Sequence, residues 1–326
     1  SATALLPLVL YPILGIMKTR ECAPTYVNST IFLFIGGFMI GLTMEKWRLH
    51  KRIALWIIRR IGGGPSRIIL GFMVAAAFLS MWISNTATAI MMVPIAMAII
   101  LQLEEKFGRT ACHPFTVALM LGIAYACSLG GIATLVGTPP NLSFSRIFEI
   151  TFPNAEPIAF GPWLVMAFPI TLLLLTTVWL LLTRVFFRIG ESFEVDHEVV
   201  KREYAALGGI SFEERAVLTV FAVTALGWVF RKDLALGLLT IPGWSRLLPH
   251  AEMIDDATVA IGMATILFFI PTRSRDADSP MVMGVDVFAK IPWHIVLLFG
   301  GGFALAQGFM VTGLSELIGT RFAGLE

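Results

Sequence analysis

Two clusters of uncharged polar residues sit where polar residues are costly, inside long apolar runs. The first is Ser80-Met81-Trp82-Ile83-Ser84-Asn85-Thr86-Ala87-Thr88, at the middle of residues 68–103, which contain no Asp, Glu, Lys, Arg or His. The second is Gly130-Gly131-Ile132-Ala133-Thr134-Leu135-Val136-Gly137-Thr138-Pro139-Pro140-Asn141, inside the equally uncharged 114–145. Together they offer hydroxyls (Ser80, Ser84, Thr86, Thr88, Thr134, Thr138), amides (Asn85, Asn141) and backbone carbonyls freed wherever a helix breaks. Hard cations take oxygen ligands of this kind. Helix C-termini turn partial negative charge toward such a cation, and helix N-termini turn N–H groups toward an anion. A helix beginning near Ala87 and another after Pro139 place an anion cradle beside a cation cage, without fixed charge. That arrangement suits a carrier in which bound Na⁺ neutralises a carboxylate solute. Proton coupling normally needs an intramembrane carboxylate or His, and neither stretch has one.

The elements that hold these residues follow from the pattern of charge. The chain has 326 residues, 57% hydrophobic and 14% charged, against about 25% charged in an ordinary soluble domain, and a mean hydropathy of +0.82. Those values point to an all-α polytopic membrane protein. A net charge of +2 leaves no basic footprint for nucleic acid. Cys22, Cys112 and Cys127 have neither zinc nor disulfide spacing. Charge-free stretches run 1–17, 23–44, 68–103, 114–145, 157–183, 216–230, 257–272 and 291–315. A helix over all of 68–103 would reach roughly 54 Å, far more than one crossing needs. The expectation is a re-entrant hairpin, with helices over about 67–82 and 87–102 meeting at a Ser-Asn-Thr tip inside the membrane. Residues 114–153 are expected to form a helix broken mid-membrane at Gly137–Pro140, because consecutive prolines cannot continue a helix. Discontinuous helices of this sort mark secondary transporter sites.

Basic residues orient the chain. Lys46, Arg48, Lys51, Arg52, Arg59, Arg60 and Arg67 face only Glu45 over 45–67, which makes that side cytoplasmic. Residues 46–61 mix Trp47, Leu49, Ile53, Trp56 and Ile57 with those charges and read as an interfacial helix. His113, Trp163, Trp293 and His294 read as interface anchors, Thr134 as packing, Pro94 as a tolerated kink, and Gly62–Gly64 as a turn before the hairpin. Asn28-Ser29-Thr30 matches a glycosylation acceptor. No GxSxG elbow is present, and His197-Glu198 lacks a second His at metalloprotease spacing, so hydrolase chemistry has no constellation. A channel filter motif is also missing.

Leu33-Phe34-Ile35-Gly36-Gly37-Phe38 recurs as Leu298-Phe299-Gly300-Gly301-Gly302-Phe303, each copy followed by an amphipathic run. The loop charges send the two copies across in opposite directions, the pattern of an inverted repeat. The hairpin tip would then have a partner about 51 residues after Leu298. That position lies beyond Glu326, so the chain is expected to be an internal piece of a longer protein, opening within an apolar run at Ser1.

Ser80-x-Trp82-x-Ser84-Asn85-Thr86-Ala87-Thr88-Ala89 followed by Gly137-Thr138-Pro139-Pro140-Asn141 resembles the divalent anion–sodium symporter family, the sodium-coupled dicarboxylate, citrate and sulfate carriers. The resemblance implies an inverted-repeat secondary transporter with re-entrant hairpins tipped by Ser-Asn-Thr. It implies a dimerising scaffold, a transport domain that moves elevator-fashion, and the cytoplasmic membrane as location. It implies Na⁺ as coupling ion, held by Ser80, Ser84, Asn85 and Gly137, and a substrate carboxylate contacted by Asn85, Thr86 and Thr138. The expected activity is Na⁺ symport of a small dicarboxylate, a C4 acid such as succinate or malate, with no enzymatic step. Some relatives are sodium-independent exchangers, and citrate or sulfate carriers share the scaffold. The expected division is 1–62, scaffold helices and interfacial helix; 63–155, transport-domain part; 156–186, a spanning helix; 187–211, a cytoplasmic linker; and 212–326, the start of the second repeat.

Overall fold

A computed structural model describes residues 2–61, 63–189, 198–236, 239–274 and 279–323. Apolar helices dominate it. α1 (Leu6–Ile13), α2 (Thr19–Cys22) and α3 (Ser29–Lys46) lead to α4 (Leu49–Ile61), α5 (Pro65–Ser80) and α6 (Asn85–Phe107). α7 (Arg109–Ile132), α8 (Pro139–Thr151) and α9 (Phe160–Leu180) follow, the last running on as a π-helical turn to Phe186. The rest comprises α10 (Glu198–Ala206), α11 (Phe212–Val229), α12 (Asp256–Leu267), α13 (Val287–Lys290), α14 (Trp293–Val311) and α15 (Leu314–Ala323). A two-stranded antiparallel ribbon, β1 (Leu234–Leu236) with β2 (Leu239–Ile241), interrupts the helices. Among the described residues, five helical segments are long and apolar enough to cross a membrane: Thr19–Lys46, Asn85–Phe107, Arg109–Ile132, Phe160–Phe186 and Trp293–Val311. Ala2–Ile13, Pro65–Ser80 and Asp256–Leu267 are shorter apolar helices.

The uncharged stretch 68–103 does break at its polar middle, across Met81–Ser84. Its two arms are unequal. α5 has 16 residues and α6 has 23, continuing past 102 to Phe107 with Pro94 inside it. Both arms pack on α7. The second break differs from expectation. α7 already ends at Ile132, and Pro139 and Pro140 form the first turn of α8. Proline is at home there, since a first-turn N–H has no helical partner to lose. The unwound segment is therefore 133–138, with Thr138 extended (φ −147°, ψ 142°) as a residue before proline should be.

The short internal repeat extends beyond its glycines. At the same offset of 265 that relates Leu33 to Leu298, α3 ends at Lys46 and α14 at Val311. A left-handed residue follows each, Arg48 (φ 57°) and Gly313 (φ 69°), and the next helix starts at Leu49 and at Leu314. The glycines also serve packing. A Cβ at Gly36 would lie 2.7 Å from that of Ala260 on α12, and one at Gly301 would lie 2.8 Å from that of Ala4.

α4 is amphipathic, but its apolar face meets protein. Leu49, Ala54, Leu55 and Ile58 are buried, and Gly71 of α5 approaches the Ile58 backbone. Trp56 alone of the larger apolar side chains is well exposed, with Arg60 over its ring at 5.2 Å. Arg52 points the other way and is buried. It pairs with Glu214 of α11 through Nε (2.7 Å) and Nη2 (3.0 Å), and donates to the carbonyls of Leu207, Gly208 and Gly209 after α10. Five donors in a fixed fork suit that crowded set of acceptors. The linker expected at 187–211 thus holds a helix pinned to α4. Residues 190–197, His197 among them, lie outside the described residues, as does Gly62. Gly63 (φ 154°) and Gly64, the cap of α5, make the expected turn. Asn28 is the N-cap of α3, its Oδ1 accepting from Ile31 N at 3.2 Å.

Candidate functional site

The two breaks lie against each other. α5 ends at Ser80 and α7 at Ile132, while α6 starts at Asn85 and α8 at Pro139. Two helix C-termini and two N-termini therefore border one uncharged region, the condition for holding a cation and an anion side by side.

Ser80 is fully buried. Its Oγ lies 2.5 Å from Asn85 Oδ1 and 2.7 Å from the Cys127 carbonyl of α7. One hydroxyl proton serves two acceptors, so neither oxygen is fully satisfied by it. Asn85 is in turn pressed against Gly131, where a Cβ would stand 2.8 Å from Asn85 Oδ1 and 3.2 Å from Thr138 Cβ. Glycine at 131 is what allows Asn85 and Thr138 to share a neighbourhood. Gly137 approaches the same residue, since its Cβ would fall 2.6 Å from the Gly131 carbonyl oxygen. Ser80, Asn85, Gly137 and Thr138 are thus brought together around Gly131. Ser84 stands at the edge as N-cap of α6, its Oγ accepting from Ala87 N at 3.1 Å. Ser84 also lines a cavity of about 200 Å³ beside the tip. Thr86 is exposed, and Thr138 is partly so. Thr88 is buried with its Oγ1 unpartnered.

The breaks are held open by side chains. Thr134 donates from Oγ1 to the Met81 carbonyl at 2.5 Å and accepts from Gly137 N at 3.0 Å, tying the second break to the hairpin turn. Asn141, which by type could have been a ligand, instead donates from Nδ2 to the carbonyls of Gly131 (2.9 Å) and Thr134 (2.7 Å). Trp163 is not an interface anchor. It is buried, and its Nε1 donates to the Ile132 carbonyl at 3.0 Å. These donors satisfy carbonyls that the end of α7 leaves orphaned. Trp293 is exposed and donates to the Phe288 carbonyl. The roles of Gly131, Asn141 and Trp163 were missed in sequence. Only the Gly130-Gly131 pair, unusual inside an apolar helix, signalled a close approach.

An aromatic shell closes the tip. Trp82 is stacked with Trp228 (6.5 Å, 8°) and meets Phe221 edge-on at 5.0 Å, and Phe160 stacks on Trp228 at 4.9 Å. Trp228 and Phe160 are fixed by Asp256, whose backbone carbonyl accepts from Trp228 Nε1 and whose Oδ2 accepts from Phe160 N. Arg231 pairs with the same carboxylate at 2.5 Å, both side chains buried.

As to a cation, the donor set is neutral oxygen from hydroxyl, amide and carbonyl groups, which fits a hard monovalent ion. No group of three or more His, Cys, Asp or Glu that could hold a metal occurs among the described residues. A helical membrane fold with two broken helices around an uncharged oxygen cluster is the architecture of the secondary carriers. The sequence model of the sodium:sulfate symporter transmembrane region matches residues 1–326, and the chain belongs to that family. Among similar curated proteins are the sodium-dependent dicarboxylate transporters SdcS of Staphylococcus saprophyticus, 35% identical, and of Staphylococcus aureus strain NCTC 8325, 36% identical. Each alignment covers 100% of this chain and 61% of the relative, so the chain spans about three-fifths of their length.

Proposed function

We propose that the protein carries a small dicarboxylate across the cytoplasmic membrane by Na⁺ symport. The observation that bears most weight is the Ser80–Asn85–Cys127 oxygen cluster, where two acceptors share one proton between two helix C-termini. A Na⁺ ion supplies the positive charge that this cluster lacks. Ser80 Oγ, Asn85 Oδ1 and backbone oxygens near Gly137 hold it, with Ser84 at the tip. The charge of the ion then offsets that of a carboxylate bound by Thr86, Thr138 and the Asn85 amide at the N-termini of α6 and α8. A site without fixed charge binds neither ion well alone, which couples their binding. The names of the relatives favour a dicarboxylate over sulfate or citrate, and C4 acids such as succinate and malate are the expected solutes.

In this reading residues 63–155 belong to the moving unit and 1–62 to a scaffold, which makes the motion elevator-like and the assembly a homodimer. The test is labelled succinate uptake into proteoliposomes with an inward Na⁺ gradient and with Na⁺ replaced by choline. Uptake that needs Na⁺ is expected. Uptake without Na⁺, driven by internal dicarboxylate, would make the protein an exchanger and refute the coupling.

A further inference from the structure

α3 ends in Glu45 and Lys46, and α13 brings Asp286 and Lys290 beside them. Two positive and two negative charges meet here, yet they are not paired one to one. Asp286 takes both lysines: Lys290 Nζ donates to Oδ2 at 2.8 Å, and Lys46 Nζ stands 3.9 Å from Oδ1. The Lys46 ammonium is shielded from solvent and has no hydrogen-bond partner among the described residues. Glu45, half-buried, has no ion pair or side-chain hydrogen bond with the described residues. Glu45 and Lys290 nevertheless line one cavity of about 200 Å³, together with the hairpin tip at Trp82, Ile83, Ser84 and Ala87.

We propose that Lys290 exchanges partners, leaving Asp286 for Glu45, and that this exchange closes the cavity over the hairpin tip. The proposal rests on the reading of that tip as the transport site. The Lys290–Asp286 pair joins residues four apart on the surface, with about half of each side chain exposed, so solvent screens it and little is lost on breaking it. Glu45 lies deeper, where the same charge pair interacts more strongly. Departure of Lys290 leaves Asp286 to Lys46, which gains the hydrogen bond it now lacks. The flexible lysine stem makes the move without shifting a helix. The four charges then form two pairs, and the Lys290 side chain lies across the entrance to Ser84.

Two measurements decide it. The first is alkylation of an Ala87→Cys variant of the purified protein by a bulky maleimide, against a background of three buried native cysteines. Adding Glu45→Gln is expected to speed labelling at least threefold, because the closed form loses the negative charge that holds Lys290. Adding Asp286→Asn is expected to slow it, because Lys290 is released to Glu45. Equal rates in all three proteins overturn the exchange. The second is uptake by charge reversal. Lys290→Glu is expected to lose at least tenfold, and Glu45→Lys in the same chain to restore most of it. Rescue by Asp286→Lys alone would show that Lys290 serves only Asp286. The labelling readout needs no transport, so it stands or falls separately from the Na⁺-coupled reading. Labelling that responds as expected in a protein inert to succinate in Na⁺ would support the gate and sink the symport.

Discussion

Two of the buried polar centres among the described residues are built on opposite principles. At the junction of α4, α10 and α11, Arg52 and Glu214 form a two-point ion pair, and the guanidinium also donates to the carbonyls of Leu207, Gly208 and Gly209. At the meeting of the breaks, Ser80, Asn85 and the Cys127 carbonyl are neutral, and two acceptors share one hydroxyl proton. The first centre is saturated and has nothing left to offer a ligand. The second keeps acceptors open toward positive charge, and the Asn85 amide N–H groups open toward an acceptor. A saturated charged centre fixes one arrangement of helices, because opening it strands a charge. A neutral centre costs less to desolvate, so a ligand can enter and leave it without stranding a charge.

The contrast can be broken from either side. Asn85→Ala carries the largest functional effect: uptake should fall at least a hundredfold, while the thermal midpoint of the detergent-purified protein moves by only a few degrees. Near-normal uptake would remove Asn85 from the site. Arg52→Ala should do the reverse. It strands Glu214 and three carbonyls, which costs about 3–5 kcal/mol for a buried pair. Its thermal midpoint should drop well below that of Asn85→Ala, and an unchanged midpoint would refute the clamp. Gly131→Ala presses a methyl on the Asn85 amide. Apparent Na⁺ affinity should fall about tenfold, equivalent to about 1.4 kcal/mol, with expression unchanged; an unaltered Na⁺ titration would place the ion elsewhere. Thr138→Ala should raise the half-saturating dicarboxylate concentration several-fold and leave Na⁺ dependence nearly alone, and the opposite order would reverse its role. The smallest effect concerns pH. The hydrogen bond from Lys290 holds the Asp286 carboxyl below its ordinary value against the opposing effect of partial burial, and the Lys46 and Lys290 charges add to the lowering. That contribution is present above the ordinary aspartate range and is lost as pH falls through the lowered value. Lys290→Gln should therefore flatten the acid end of the stability profile slightly, and an identical acid limb in the variant would contradict the pairing.

Legibility in the sequence varied with the range of the interaction. The Met81–Ser84 break was readable because an uncharged run too long for one crossing and a polar middle are both local facts. The repeat was readable as a glycine motif, though its extension to Arg48 and Gly313 was not, since arginine gives no hint of a left-handed conformation. Pro139-Pro140 announced a discontinuity but misplaced it, because the same dipeptide can end one helix or begin the next.

Composition and charge spacing by themselves determined an all-α membrane fold, the two discontinuities and the residue types gathered at them. These follow from the cost of placing charge or unpaired backbone in hydrocarbon, which acts on each segment separately. Only the tertiary structure decided that the breaks face each other, that Gly131 brings Asn85 to Thr138, and that Trp163 and Asn141 complete the backbone of α7 rather than face lipid or ligand. It also set Glu45 apart without an ion-pair partner among the described residues while Asp286 holds two. Those outcomes depend on which helix lies against which, through contacts between residues such as Trp163 and Ile132 that are far apart along the chain. No local pattern of charge or hydropathy encodes them.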